Sequence, residues 1–404
     1  MRKWSRPPLS AWSLQFDSHN ARVFKSAAMF AALLVLGTGC GTGNARRPTA
    51  AMRSPRAAAT PVSESSPPTT GSNVPPAVTA LPPLTTNTPP PLTTLPVAPK
   101  PATNPPAITF KGEGWIPLER WTEALNLERP RRLATAPTES FALVLPVGVV
   151  RFSVGSQVAQ WDGVEFRFGF PPRTQDGQVY LHSLDLRKNI EPLLKSRAPL
   201  KAPARVIVLD PGHGGINSGT RSAADVRNEK YFTLDWALRT AGLLRTNGWN
   251  VILTRTNDVD VSLADRVALA EAQRADLFIS LHFNSAGGNG TEQAGLETYC
   301  LTPQGMTSTL TRGYDDDAKE WSPNNAFDED NLLLALRLHR ALLRVNGNLD
   351  RGVRRARFLT VLRGQNRPAA LIEGGYLSNP AEARRVADPA FRQRLAEAVA
   401  KALQ

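Results

Sequence analysis

An α/β fold, with a mostly parallel sheet flanked by helices, is what residues 205–404 of this 404-residue chain predict. Three observations carry the expectation. Short apolar runs at 206–209, 250–254, 276–282, 296–301, 358–362 and 369–372 alternate with segments of helical periodicity near 229–244, 262–274, 331–345, 380–386 and 389–403. The strongest of these runs are apolar along their whole length, as strands buried on both faces are. Four segments also present a His or Glu at or near an element end, and open α/β sheets gather ligands beyond the carboxyl ends of their strands. A small α+β module at 106–200 and a disordered linker at 41–105 precede this part.

Residues 1–40 read as an export signal. Arg2, Lys3, Arg6, Arg22 and Lys25 form a long basic stretch, and the apolar run 27–36 is too short to span a bilayer comfortably. The run closes on Leu36-Gly37-Thr38-Gly39-Cys40, which resembles the lipobox of bacterial lipoproteins, although Gly37 stands where that pattern prefers Leu. Two readings follow: a lipid on Cys40 that tethers the chain to a membrane, or ordinary cleavage at small residues.

Residues 41–105 hold 16 of the 34 prolines, with Thr, Ala and Ser filling most of the rest. Such a stretch cannot bury enough apolar surface to offset its ordering entropy, and its composition predicts an extended tether. The charge excess also lies largely at this end. Residues 1–105 carry 10 Lys+Arg and 2 Asp+Glu, hence +8 of the total +13, leaving +5 for the remainder. A basic nucleic-acid-binding face is therefore not indicated, and no such motif occurs. Cys40 and Cys300 make no disulfide framework, and Cys300 reads as a buried small apolar residue.

In the 106–200 module, Trp115-Ile116-Pro117-Leu118 leads into Trp121, Ala124, Leu125 and Leu127, an amphipathic helix pattern, followed by short alternating runs at 141–145, 149–154, 158–161 and 164–168. Asp162-Gly163 between two of these runs signals a hairpin. His182 has no ligand-type neighbour at metal spacing and reads as structural.

The 205–404 part opens with Val206-Ile207-Val208-Leu209 and breaks at Asp210-Pro211-Gly212, presenting His213 between glycines. Glu229 falls in the first turn of the next helix, and His282 ends the strand Asp276-Leu277-Phe278-Ile279-Ser280-Leu281. Two histidines and one carboxylate match the protein ligands of catalytic zinc sites, which leave a fourth position for water. Glu373 ends the run 369–372 before two glycines; a carboxylate there is costly unless paired or functional, and it can serve as a general base. A dinucleotide reading of Gly212-His213-Gly214 fails, because Asn217 replaces the third glycine and no helix begins until about residue 229. Ser262 with Asp265 resembles a capping box, and His339 reads as a surface or packing residue.

DPGHGG, NEK, Arg255-Thr256-Asn257-Asp258, SLHFN, GLETY, DRGV and IEGGYLSNP occur in this order from about residue 205 to the C-terminus. Together they resemble the zinc-dependent N-acetylmuramoyl-L-alanine amidases, the type 3 amidase family of bacterial cell-wall hydrolases. The resemblance implies that His213, Glu229 and His282 bind one zinc ion and that Glu373 is the catalytic carboxylate. It also implies peptidoglycan as substrate and a periplasmic or cell-envelope location. The module weakly resembles the copper-amine-oxidase N-terminal-like module, implying a role in wall binding or spacing; a scaffold role stands beside it. Residues 302–330, rich in acidic side chains, lie where some family members carry a regulatory element, so this loop either gates the site, steers substrate or is simply solvated. No activator protein, substrate-contacting residue or oligomeric state is legible.

Overall fold

The computed structural model describes residues 114–196, 200, 202–286, 291–347 and 349–404. The export signal, Cys40 and the linker lie outside the described residues. Eleven strands form one mixed sheet and three more form a small antiparallel sheet.

In chain order the N-terminal part comprises β1 (Trp115–Pro117), α1 (Leu118–Ala124), β2 (Arg131–Ala134), β3 (Ser140–Leu145), β4 (Gly148–Ser153), β5 (Val158–Trp161), β6 (Val164–Arg167), β7 (Arg173–Gln175), β8 (Gln178–His182), α2 (Ser183–Asp185), a π turn (Leu186–Ile190) and α3 (Glu191–Leu194). Asp162 and Gly163 both take positive φ in the β5–β6 hairpin, as a type I′ turn requires. His182 is structural: its Nδ1 accepts the Leu184 N–H at 3.2 Å to cap α2, and its ring stacks on Phe170.

The C-terminal part runs β9 (Val206–Pro211), α4 (Glu229–Thr246), β10 (Asn250–Leu253), α5 (Leu263–Ala272), β11 (Leu277–Asn284), β12 (Leu296–Cys300), a 3₁₀ turn (Pro323–Phe327), α6 (Asp328–Asn346), β13 (Asp350–Arg355), α7 (Thr360–Arg363), β14 (Ala369–Tyr376), α8 (Pro380–Ala387) and α9 (Pro389–Ala402). The large sheet has the order β10-β9-β11-β14-β12-β13-β6-β5-β4-β3-β2. From β10 to β13 every pair is parallel except β14 with β12; from β6 to β2 every pair is antiparallel. β6 joins β13 in parallel through Val353 and Phe166, so the module's meander continues the C-terminal sheet.

Both faces of the central strands are covered, which is why their sequences are apolar throughout. Ile207 and Leu209 face the core shared with Phe232 and Trp236 of α4, Leu338 of α6 and Leu395 of α9. Val208, Phe278 and Leu371 face the opposite cluster, with Ala270 of α5 and Val361 and Leu362 of α7. The first core also takes in Leu118, Phe141, Trp161 and Phe166, so apolar packing is continuous between the two parts.

One expectation needs correction. Residues 358–362 are not a strand. Arg357 is anchored through the carbonyls of Pro303 and Met306, and the chain turns into α7. The strand beside β12 is instead β13, whose arginines hide its strand character. Its alternate partners are carboxylates and carbonyls: Arg351 Nε donates to Glu297 and Arg355 Nη1 to Leu301 O. Of the two readings of His339, packing is the one that holds: it is wholly buried, bridging Thr298 Oγ1 and Asp350 Oδ1 at 2.9 Å each. Cys300 is buried, as expected.

Candidate active site

Strand register brings the predicted site residues together. β11 and β14 are parallel neighbours in which His282 stands opposite Glu373, and β12 pairs antiparallel with β14 so that Glu297 stands opposite Glu373. In-register residues of adjacent strands share a face. His282, Glu373 and Glu297 therefore form one row at the carboxyl end of the parallel strands, on the face that carries Phe278 and Leu371 deeper in.

His213 reaches this row from the loop after β9, and Glu229 from the first turn of α4. Glu229 Oε1 lies 3.0 Å from His213 Nε2 and 3.0 Å from His282 Nδ1, and one donor atom from each of the three residues lies within 4.8 Å of the others. The carboxylate is held from behind: Oε1 accepts the Phe283 N–H at 3.0 Å and Oε2 accepts the Thr220 N–H at 3.1 Å. Burial alone would favour its neutral form, but the two imidazoles outweigh burial and hold Glu229 well below the usual carboxylate range. His213 shows the same pairing from the other side. Burial of the ring opposes protonation, while Glu229 and Asn217 outweigh it and raise its pKa.

His213 Nδ1 lies 2.8 Å from Asn217 Oδ1. With the amide oxygen as acceptor, Nδ1 carries the proton and Nε2 keeps its lone pair for the cluster, the usual second-partner arrangement of a metal-binding histidine. His213 sits at φ +62°, a left-handed conformation that a non-glycine residue adopts at a cost of ~1–2 kcal/mol. The surroundings enforce it. Arg266 donates to the His213 carbonyl at 2.9 Å and to Pro211 O at 3.0 Å, and pairs with buried Asp210 at 2.5 Å. Arg255 donates to Pro211 O and Gly212 O, and Thr233 Oγ1 also donates to Gly212 O. Space is as tight as the hydrogen bonding. A Cβ on Gly212 would lie 2.2 Å from His282 Cε1, and one on Gly219 would lie 2.7 Å from Glu229 Oε2 and His213 Cδ2.

Glu297 and Glu373 occupy opposite environments. Glu297 accepts from Asn284 Nδ2 (2.8 Å), Tyr299 OH (2.7 Å), Arg351 Nε (2.7 Å) and Tyr376 OH (3.2 Å). Burial would raise its pKa, but Arg351 and the other donors override it and keep the group ionised below its ordinary range. Glu373 is 8% exposed, and its Oε2 has no hydrogen-bond partner among the described residues. Burial, then the Glu229 charge, push its pKa well above normal against the pull of Arg312. The two neighbouring carboxylates are thus driven apart, Glu297 towards the ionised and Glu373 towards the neutral form, the pattern that sets acid–base groups apart from structural ones.

An open cleft of about 480 Å³ adjoins the cluster, lined by His213, His282, Asn217, Asp260, Leu263 and Val361 among others. A larger groove of about 630 Å³ lies elsewhere, between α6 and α9 beside Trp161, and shares none of the clustered residues. Sequence reasoning missed Asp210, Arg266 and Glu297. Arg266 and Asp265 together look like the solvated start of a helix, and only the fold shows that Arg266 turns inward.

A fold with His, Glu and His converging at parallel strand ends, beside a buried carboxylate, defines a class: an α/β protein with a candidate divalent-metal site. The model of the N-acetylmuramoyl-L-alanine amidase family, Amidase_3, matches residues 207–404. The chain is 32% identical over 228 residues to N-acetylmuramoyl-L-alanine amidase AmiA of Escherichia coli (strain K12), covering 51% of this chain and 78% of that protein. It is 31% identical to AmiA of Salmonella typhimurium (strain LT2), covering 49% and 75%. Among solved structures, the catalytic domain of CwlV, an amidase from Bacillus (Paenibacillus) polymyxa var. colistinus, is 31% identical, with 49% of this chain and 95% of that chain covered and a TM-score of 0.39. The chain belongs to the N-acetylmuramoyl-L-alanine amidase family.

Proposed function

We propose that this chain hydrolyses the amide between N-acetylmuramic acid and the L-alanine of the peptidoglycan stem, with zinc held by His213, Glu229 and His282 and with Glu373 as the base. Family membership supports the reaction. The observation that carries the residue assignment is the convergence of three donor atoms within 4.8 Å beside a carboxylate in strand register with one of them. Two imidazole nitrogens and a carboxylate oxygen suit zinc, and the Asn217 contact suits the Nδ1–H tautomer that leaves His213 Nε2 for a metal.

When bound, zinc supplies Lewis acidity, polarising a carbonyl and lowering the pKa of a water at the site towards ~7. The chain does the rest. Glu373 in its ionised form accepts the proton of the attacking water and passes it to the departing alanine nitrogen, and the burial that raises its proton affinity makes that carboxylate a stronger base. The network of Asp210, Arg266, Arg255 and Thr233 fixes the His213 loop, so no loop ordering is needed as the reaction proceeds.

Replacing Glu373 tests the assignment. Glu373→Gln retains zinc at one ion per chain by elemental analysis, yet releases stem peptides from purified sacculi ~10²–10⁴-fold more slowly. Release at the parental rate would remove Glu373 from the mechanism.

The chain is exported, and a lipid on Cys40 holds the enzyme at a membrane that faces the wall. Cells fed labelled palmitate label the parent and not Cys40→Ala; an unlabelled parent ends the lipid-anchor reading. Among the described residues, no helix is long and apolar enough to cross a membrane. Residues 106–200 are read as a scaffold for the catalytic part.

A further inference from the structure

The loop between β12 and the 3₁₀ turn is held at many points. Asp316 accepts from the Ser308 N–H at 2.7 Å, the Ser308 hydroxyl at 2.6 Å and Arg357 Nη1 at 2.6 Å. The Thr309 N–H donates to Arg355 O at 2.9 Å, and Arg363 Nη1 donates to Tyr314 OH at 2.7 Å. Between these anchors the chain turns sharply through Arg312 and Gly313, at φ +48° and +79°. The turn projects the Arg312 side chain towards the row of site residues. Arg312 Nη2 donates to Asn284 Oδ1 at 3.3 Å, and its guanidinium carbon lies 5.3 Å from the centre of the Phe358 ring. Asn284 is two residues beyond His282 on β11. Arg312 is exposed and pairs with no carboxylate among the described residues.

The geometry points to Arg312 as a specificity-determining residue that binds a carboxylate on the stem peptide of the substrate. This inference rests on the amidase reading given above. A guanidinium has five N–H donors in a planar fork that matches a carboxylate, and the Asn284 contact occupies one donor. The Phe358 ring face and the anchored loop fix the fork in advance, so little side-chain entropy is lost on binding. The distance is also suitable. At the strand rise, Asn284 lies ~7 Å along β11 from His282. An extended stem peptide likewise advances ~7 Å in two residues from the scissile amide. The second stem residue, a γ-linked glutamate, carries its free α-carboxylate at that point in peptidoglycan that has not been amidated there.

Two synthetic muramyl tripeptides test this. They are identical except that the second stem residue bears an α-carboxylate in one and an α-carboxamide in the other. The parent, as full-length zinc-loaded enzyme, is expected to favour the acid by ~10-fold in kcat/KM, the scale of one charge-assisted contact. In Arg312→Gln the acid-to-amide ratio falls towards one, with the loss appearing as a higher KM for the acid. Arg312→Lys, which keeps the charge but not the fork, recovers part of the ratio. A parent that cleaves both substrates equally, or an Arg312→Gln variant with the parental ratio, overturns the inference and leaves the amidase reading standing. A zinc-loaded parent that cleaves neither overturns both.

Discussion

Gly212 shows how little freedom the site allows a single residue. Its φ is unremarkable, so the glycine is needed for space and not for conformation. A Cβ there would lie 2.2 Å from His282 Cε1 and 2.3 Å from Nε2, and the ring is held on its other side by Glu229. Gly212→Ala therefore displaces an imidazole of the candidate metal cluster, while the strand beneath it is untouched. The variant is expected to fold with a parental melting profile but to bind zinc ~10–100-fold more weakly, the usual penalty for misplacing a ligand's support; competition with a chromogenic chelator reads this directly. Parental zinc affinity would show that His282 is not a ligand or that its ring has room to move. At this scale the metal-type residues were legible in the sequence because each stands at an element end beside glycine or polar turn residues. Glu297 was not legible as the ionised partner of Glu373. Its role depends on four donors drawn from β11, β12, β13 and β14, and no local pattern foretells that convergence.

At the scale of elements, the sequence was clearest where both faces of a strand are greasy and weakest where charge does the packing. β9, β11 and β14 announce themselves as apolar runs. β13 reads Asp-Arg-Gly-Val-Arg-Arg and passes for a loop, yet it lies inside the sheet, because its arginines have buried acceptors waiting. The apolar run at 358–362 misled in the opposite direction: Val361 and Leu362 are buried, but from a short helix that covers the sheet. In α4 the apolar Leu238 is 44% exposed; the buried stripe runs through Phe232, Trp236, Ala237, Ala241 and Leu244, where small residues let the helix approach its neighbours closely. The α5 cap is half of the expected box. Ser262 Oγ accepts the Asp265 N–H at 3.1 Å, but the Asp265 carboxylate accepts from the Ser262 hydroxyl at 2.7 Å and does not reach the backbone. Aspartate is one methylene shorter than the glutamate that completes such a box. The same helix nevertheless supplies Arg266, so one element both closes a core and braces the catalytic loop.

For the whole molecule, the question is whether the N-terminal module is a separate ligand-binding unit or part of the catalytic body. The contacts favour one body. β6 extends the sheet from β13, the Glu165 N–H donates to Asp350 Oδ2 at 2.9 Å, and Arg355, 3% exposed, sends Nη2 to Lys188 O and Asn189 Oδ1. Lys188 pairs with buried Asp328 at 2.9 Å, and Arg340 lies 4.1 Å from the Trp161 ring centre. Removing the module leaves the Asp328 carboxylate without Lys188, frees the β13 edge, and strips Arg355 of two acceptors. Each such loss costs ~1–3 kcal/mol, and for a domain of this size ~1 kcal/mol moves the melting temperature by ~2–4 °C. A fragment spanning residues 202–404 is therefore expected to melt roughly 5 °C or more below one spanning residues 106–404, and the longer fragment is expected to unfold in a single calorimetric transition. Two separate transitions in the longer fragment, with the shorter one melting at the same temperature as one of them, would make the module an independent domain and return wall binding as its function.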